Sequence, residues 1–216
     1  MAVLTVAACD YYTPPQLSLP MTKGSSGAVQ ENSLARPTVR FPARVAVARI
    51  APSGDGFRLE DSTQGEKPEH AAQVASLPGI AGVVALNRLT LKSQVESYRE
   101  LDREAQKLGA DIVAVYRFDS SDEVQDAFMP LSVATLGLAP NHTYKATTVA
   151  TLMVRDARSG YIYGILEERA SSSGLTAGMD AGNATQRARR RSRAEAMDKL
   201  MEKVPAFWSG VLAKGR

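Results

Sequence analysis

The chain has 216 residues, 26 Lys and Arg against 23 Asp and Glu, and a formal charge of +3; at 44% hydrophobic and 23% charged it has the balance of one ordinary globular domain, not of a collagenous or wholly disordered chain. Its single cysteine, Cys9, excludes an internal disulfide framework and any cysteine-rich metal site. No window approaches the ~20 consecutive apolar residues that a membrane-spanning helix needs.

Met1 to Ala8 is an apolar run without basic residues that ends in small residues before Cys9, which suits signal processing. The run Leu4-Thr5-Val6-Ala7-Ala8-Cys9 resembles the lipobox of bacterial lipoproteins, in which the cysteine is lipidated and becomes the mature N-terminus. The resemblance implies a partial lipoprotein signal over 1–9, lipidation at Cys9, and a place on the periplasmic side of a bacterial cell envelope. Asp10 resembles an inner-membrane retention signal, and the choice between inner and outer membrane stays open. The other reading of 1–9 is a frayed strand with an incidental thiol; an upstream start codon accounts for the missing basic residues. Acyl chains contribute ~0.8 kcal/mol per buried methylene, so two or three of them anchor a protein stably.

Residues 10–40 carry Pro14, Pro15, Pro20 and Pro37, a Gly24-Ser25-Ser26-Gly27 centre and few large aliphatics. Such a segment buries too little apolar surface to offset ordering its backbone. It reads as a flexible tether with a root-mean-square span of ~30 Å, and 41–216 as one globular domain.

Ala43 to Ile50 is rich in β-branched residues and stops at the Pro52-Ser53-Gly54-Asp55-Gly56 cluster, which predicts a first strand. Pro68 to Leu77 predicts a helix, with proline in its first turn and Pro78-Gly79 ending it. Ile80 to Asn87 reads as a buried strand. From Ser93 or Gln94 to Leu108, apolar residues recur at spacings of three and four (Val95, Tyr98, Leu101, Ala105, Leu108), a helix closed by Gly109. Ala110 to Phe118 is a further strand, and the short connection places the two side by side. Beyond Asp119 the pattern becomes a succession of strands, Leu131–Leu138, Thr143–Val154 and, after an Arg155–Gly160 turn, Tyr161–Ala170. A last helix runs from near Asn183 toward Lys214, with a kink expected near Pro205. The fold class is α/β (α+β): a mixed β-sheet with flanking helices, built as β-α-β-α-β, then an antiparallel meander and a long C-terminal helix.

The segments Leu108–Phe118 and Ala146–Asp156, the turn into Gly160-Tyr161-Ile162-Tyr163-Gly164 and the late helix resemble the globular head of periplasmic lipoproteins. These are relatives of the curli secretion lipoprotein and of the lipoprotein activators of penicillin-binding proteins, with a TolB N-terminal-like α/β head. The resemblance covers about 40–212 and implies an interaction module without catalytic chemistry, serving a cell-wall synthase or a secretion or assembly complex. No pair of long amphipathic hairpins able to build a membrane barrel is visible.

Motifs for chemistry are absent: no Walker loop, no dinucleotide-binding glycine pattern after a strand, no nucleophile elbow. Nothing suggests a metal or a cofactor. His70 and His142 lie far apart without neighbouring ligands, His70 reading as an exposed helix residue and His142 as part of the Pro140-Asn141-His142 turn. Glu167 and Glu168 are adjacent, so on a strand they point to opposite faces and cannot act as a pair; the same holds for Glu60 and Asp61 if extended.

Two features stand above this background. Arg187, Arg189, Arg190, Arg191 and Arg193 crowd the start of the last helix, whose apolar stripe Met197, Leu200, Met201, Val204, Trp208 and Val211 leads backward into Gln186, Arg190 and Arg193. The helix is therefore expected to dock by its C-terminal half while its N-terminal half overhangs or lies in an acidic groove. The arginines then either overhang toward phospholipid headgroups, an anionic cell-wall polymer or an acidic partner, or form a solvated helix start whose stems cover apolar neighbours. No aromatics interleave them, so nucleic acid is not expected. The second feature is the apolar run 127–140 with Phe128, either a strand buried on both faces or an exposed docking edge. Asp122, Glu123 and Asp126 before it form a candidate acidic lip for protein docking. The functional expectation is a lipid-tethered, non-catalytic interaction module of the envelope. The alternatives are an envelope enzyme with an unrecognised polar site, to be sought at His142 or Glu168, and a purely structural surface lipoprotein.

Overall fold

A computed structural model describes residues 35–54, 56–60, 66–87, 91, 94–126, 142–176 and 181–215. In chain order the elements are β1 (Ala43–Ser53), β2 (Gly56–Leu59), α1 (Pro68–Ala75), β3 (Ile80–Ala85), α2 (Tyr98–Lys107), β4 (Ile112–Asp126), β5 (His142–Asp156), β6 (Ile162–Thr176) and α3 (Ala181–Lys214). The strands form one mixed sheet in the order β2-β1-β4-β5-β6. β3 joins the N-terminal half of β1 in parallel, on the edge that β2 occupies further along, and β4 runs parallel to the other edge of β1. The α/β class expected from the alternation is the one observed, with the meander β4-β5-β6 antiparallel throughout.

Alternation along the strands sorts the core into two layers. Val45, Ile112, Ala114 and Val154 face α1 and α3, while Ala46, Ala48, Val113, Val115 and Met153 face α2. β3 departs from its expectation as a buried strand: it is an outer strand, and Ala81 and Ala85 are exposed. α2 begins at Tyr98, later than its periodicity predicts, because Val95 is taken up in an antiparallel bridge with Phe57 through backbone bonds of 2.8 and 2.9 Å. It ends as expected, with Gly109 at φ 72°.

β4 extends eight residues past Phe118, through a polar stretch that carries no apolar alternation. A ladder of hydroxyls accompanies it inside: Ser120 Oγ lies 2.9 Å from Thr148 Oγ1, which lies 2.7 Å from Ser192 Oγ on α3. The residues 131–138 expected as a strand lie outside the described residues. α3 runs through Pro205 as one element and measures ~50 Å at 1.5 Å per residue. Its predicted apolar stripe is buried from Met197 to Val211. Its N-terminal half does not overhang but also docks, because Ala184, Ala188, Ser192 and Ala196 recur every fourth residue and are each buried. Small side chains let the helix approach the meander closely there, so burial does not require large aliphatics.

Three residues ahead of the expected domain start the chain already packs on the body. Val39 is buried, and Thr38 is bonded to Asp156 through both its N–H and its hydroxyl.

Candidate functional site

Between the sheet and the layer of α1 and α3 lies a cavity of about 490 Å³. Its floor follows from strand alternation and register: Val45, Val47 and Arg49 share one face of β1, and Ala114 and Tyr116 stand beside Val47 and Arg49 on β4. Val74 and Leu77 close one flank; Met201, Val204 and Trp208 supply the roof. The small side chain of Ala114 at the centre of the floor leaves the space unfilled. A sealed, dry void of this size would cost ~12 kcal/mol at ~24 cal/mol per Å³, as much as the whole stability of a typical domain. The cavity is accordingly not sealed: Lys67, Ala71, Ala85 and Asn87 are exposed lining residues and frame a mouth between α1 and the end of β3.

The polar groups gather at one end. Arg49, buried on the strand, pairs with Glu60 at 3.1 Å and Glu66 at 3.4 Å, and its guanidinium lies 5.1 Å from the centre of the Phe118 ring. The Tyr116 hydroxyl donates to the Glu66 carboxylate. Burial, then that carboxylate, push the phenol well above its ordinary value, so it stays a donor. At the rim the Lys67 ammonium lies 2.7 Å from Asp198 Oδ2, and His70 Nε2 lies 3.1 Å from Oδ1. The Lys67 N–H donates to His70 Nδ1 at 3.2 Å, which leaves the ring proton on Nε2, facing Asp198. Burial alone would raise the Asp198 carboxyl, but Lys67 and His70 outweigh it and hold the group below its ordinary value. His70 is thus buried at 9% exposure, not on the exposed helix face expected for it, because Asp198 of α3 draws it inward. The opposite end of the cavity is apolar, closed by Leu77, Ile80 and Trp208, whose indole N–H donates to the Pro78 carbonyl at 2.9 Å.

The residues singled out by sequence are distributed differently. Cys9 and Phe128 lie outside the described residues. Asp126 and His142 stand opposite each other at the far end of the β4–β5 pair. The acidic lip and the arginine cluster meet each other: Arg189 forms an ion pair with Asp122, its Nε 3.3 Å from Oδ1. Arg193 is half-buried and its Nε donates to Ser120 Oγ at 3.2 Å, while Arg187, Arg190, Arg191 and Glu123 are exposed. Glu167 accepts from the Thr151 hydroxyl at 3.0 Å and Glu168 pairs with Lys203, on opposite faces as their adjacency requires. On the α2 side of the sheet, a buried Asp102–Arg155 pair at 2.7 Å lies beneath the Tyr98 ring. Among the described residues there is no group of three side chains able to hold a metal ion. None of their helices is long and apolar enough to cross a membrane.

The cavity itself escaped the sequence reading. Its signal was the switch from Val45 and Val47 to Arg49 on one strand face, which marks where an apolar layer turns polar.

No protein-family model and no curated protein sequence matches the chain. Among solved structures it is similar to a minor lipoprotein from Acinetobacter baumannii, with 10% identity over 79% of this chain and 94% of that one and a TM-score of 0.39. It is also similar to the rare lipoprotein B from Shewanella oneidensis, with 9% identity over 78% and 98% of the two chains and a TM-score of 0.39. A PelC dodecamer from Paraburkholderia phytofirmans matches at 12% identity over 77% and 92%, with a TM-score of 0.30. Likenesses this low transfer no role.

Proposed function

We propose that the protein is a non-catalytic binding module of the bacterial cell envelope, held on the periplasmic side of a membrane by lipid at Cys9. In this reading the tether runs from residue 10 to the residues just ahead of Thr38, and the head serves as an interaction or regulatory part of an envelope machine such as a cell-wall synthase or a secretion or assembly complex. One observation carries the reading of the head. The cavity under α3 is lined mainly by aliphatic and aromatic side chains, and each ionisable group at its polar end is engaged by another: Arg49 with Glu60 and Glu66, Tyr116 with Glu66, Lys67 and His70 with Asp198. Groups neutralised in this way hold shape and fix orientation; they do not present a poised base or nucleophile.

Confinement to a membrane strengthens a weak contact by raising its effective concentration. The exposed Arg190 and Arg191 are suited to meet anionic lipid, an anionic cell-wall polymer or an acidic partner surface. The test is in-cell crosslinking of the full chain followed by purification, comparing the natural sequence with Cys9→Ser. The expected result is membrane-associated recovery with a reproducible envelope protein, and release of the Cys9→Ser chain from the membrane. Equal fractionation of the two chains, with no crosslinked partner, would refute the proposal.

A further inference from the structure

We propose that the cavity under α3 holds a single-chain amphiphile with a zwitterionic head, the head at the Arg49 and Lys67 end and the apolar chain running toward Trp208. This rests on reading the head as a binding module and names what it binds.

The shape of the site points to a long, one-ended ligand. Its roof spans Met197 to Trp208 on α3, which at 1.5 Å per residue is ~16 Å. Along that length the lining changes in one direction. Asp198 with Lys67 and His70, and Arg49 with Tyr116, mark one end; Leu77, Ile80 and Trp208 mark the other. A ligand apolar at both ends would leave the ion pairs facing hydrocarbon, and a wholly polar one would leave the aliphatic end wet. Met197 and Met201 in the roof adapt to a flexible chain.

The head is set by the balance of charge. The polar end carries three cations, Arg49, Arg58 and Lys67, and three carboxylates, Glu60, Glu66 and Asp198. Charge there is balanced, so a head of one sign would leave the opposite set unmatched, whereas a head bearing both signs can exchange partners with both members of the Lys67–Asp198 pair at the rim. The leader of this chain is not the occupant the geometry favours. It joins the body at Thr38 beside Asp156, which stands opposite Ile112 at the start of β4, whereas the polar end lies at Tyr116.

The chain has one tryptophan, Trp208, so its fluorescence reports the apolar end of the cavity directly. The full chain with Cys9→Ser, purified without detergent, is titrated with lauroyl lysophosphatidylcholine below its critical micelle concentration. Saturable binding is expected, and a probe brominated at the tail end should quench Trp208 more strongly than one brominated beside the head. Ala114→Phe, which places a ring in the middle of the cavity, should weaken binding by about tenfold or more with an unchanged far-ultraviolet spectrum. If that variant does not fold, the order of quenching in the unsubstituted head decides the question. Non-saturable binding, or equal quenching by the two probes, would overturn the proposal. So would exclusion of the probe from the naturally lipidated chain, because the cavity would then hold the protein's own anchor. Failed binding while the envelope crosslinks persist overturns this assignment alone; failure of both removes the binding-module reading with it.

Discussion

Asp156, the fully buried last residue of β5, does two jobs with one carboxylate. Oδ1 accepts the N–H groups of Arg158 and Ser159 at 2.8 and 3.0 Å, closing the β5–β6 turn. Oδ2 accepts the N–H and hydroxyl of Thr38 at 2.6 and 2.8 Å, clasping the incoming segment to the body 118 residues away in sequence. Burial alone would raise this carboxyl, but the bonds from Ser159, Thr38 and Arg158 outweigh it and hold the group below its ordinary 3.8. Asp156→Ala removes all four acceptor contacts. Since the donors can partly recover water, about 1 kcal/mol each is the fitting value, ~4 kcal/mol in total, against a typical domain stability of ~5–15 kcal/mol. Urea unfolding followed by Trp208 fluorescence and circular dichroism measures the difference between the two chains. Because the folded value lies below the unfolded one, this contribution is fully present above the unfolded value and is lost as pH falls through the folded one. The gap should therefore be near ~4 kcal/mol at neutral pH and shrink in strong acid. A gap below ~1 kcal/mol at neutral pH, or one that does not change on acidification, would refute the reasoning.

Other consequences follow from the core. Burial, opposed by Arg155, raises the Asp102 carboxyl to about 7, so above that pH Asp102→Asn leaves the buried Arg155 guanidinium without its counter-charge and should cost ~3–5 kcal/mol, whereas replacing both by Leu and Met should be far milder; equal losses in denaturant unfolding would contradict this. Ala188→Leu forces a large side chain between α3 and the meander, with an expected loss of ~1–3 kcal/mol by the same assay and no loss if the helix start merely overhangs. Leu200→Ala, at a residue 2% exposed in the main core, should cost ~2–5 kcal/mol.

Those parts of the fold that depend on local periodicity were legible in the sequence. The β-branched run at Val45 to Ile50, the αβ unit closed by Gly109 and the stripe from Met197 to Val211 all reflect one element burying one face. What depends on distant partners was not. His70 looked exposed because Asp198, which draws it inward, comes from α3, 128 residues later. Arg189 and Asp122 read as two separate charged surfaces, and the fold lays them against each other. The polar continuation of β4 carries no hydrophobic alternation and becomes a strand only through its pairing with β5. The docking of Ala184, Ala188 and Ser192 was readable as a period of four, but small residues carry little hydrophobic signal. The cavity depends on what is missing between Ala114 and the roof; the switch from Val45 and Val47 to Arg49 on one strand face marks only where its lining turns polar.

Whether the head is an anchored holder of an amphiphile is decided by mass spectrometry of the natural chain released intact from bacterial envelopes. An acylated Cys9 is expected and, under gentle ionisation, a second, noncovalent mass of one single-chain lipid that is lost in Ala114→Phe. A bare polypeptide with a free thiol and no retained lipid would contradict it.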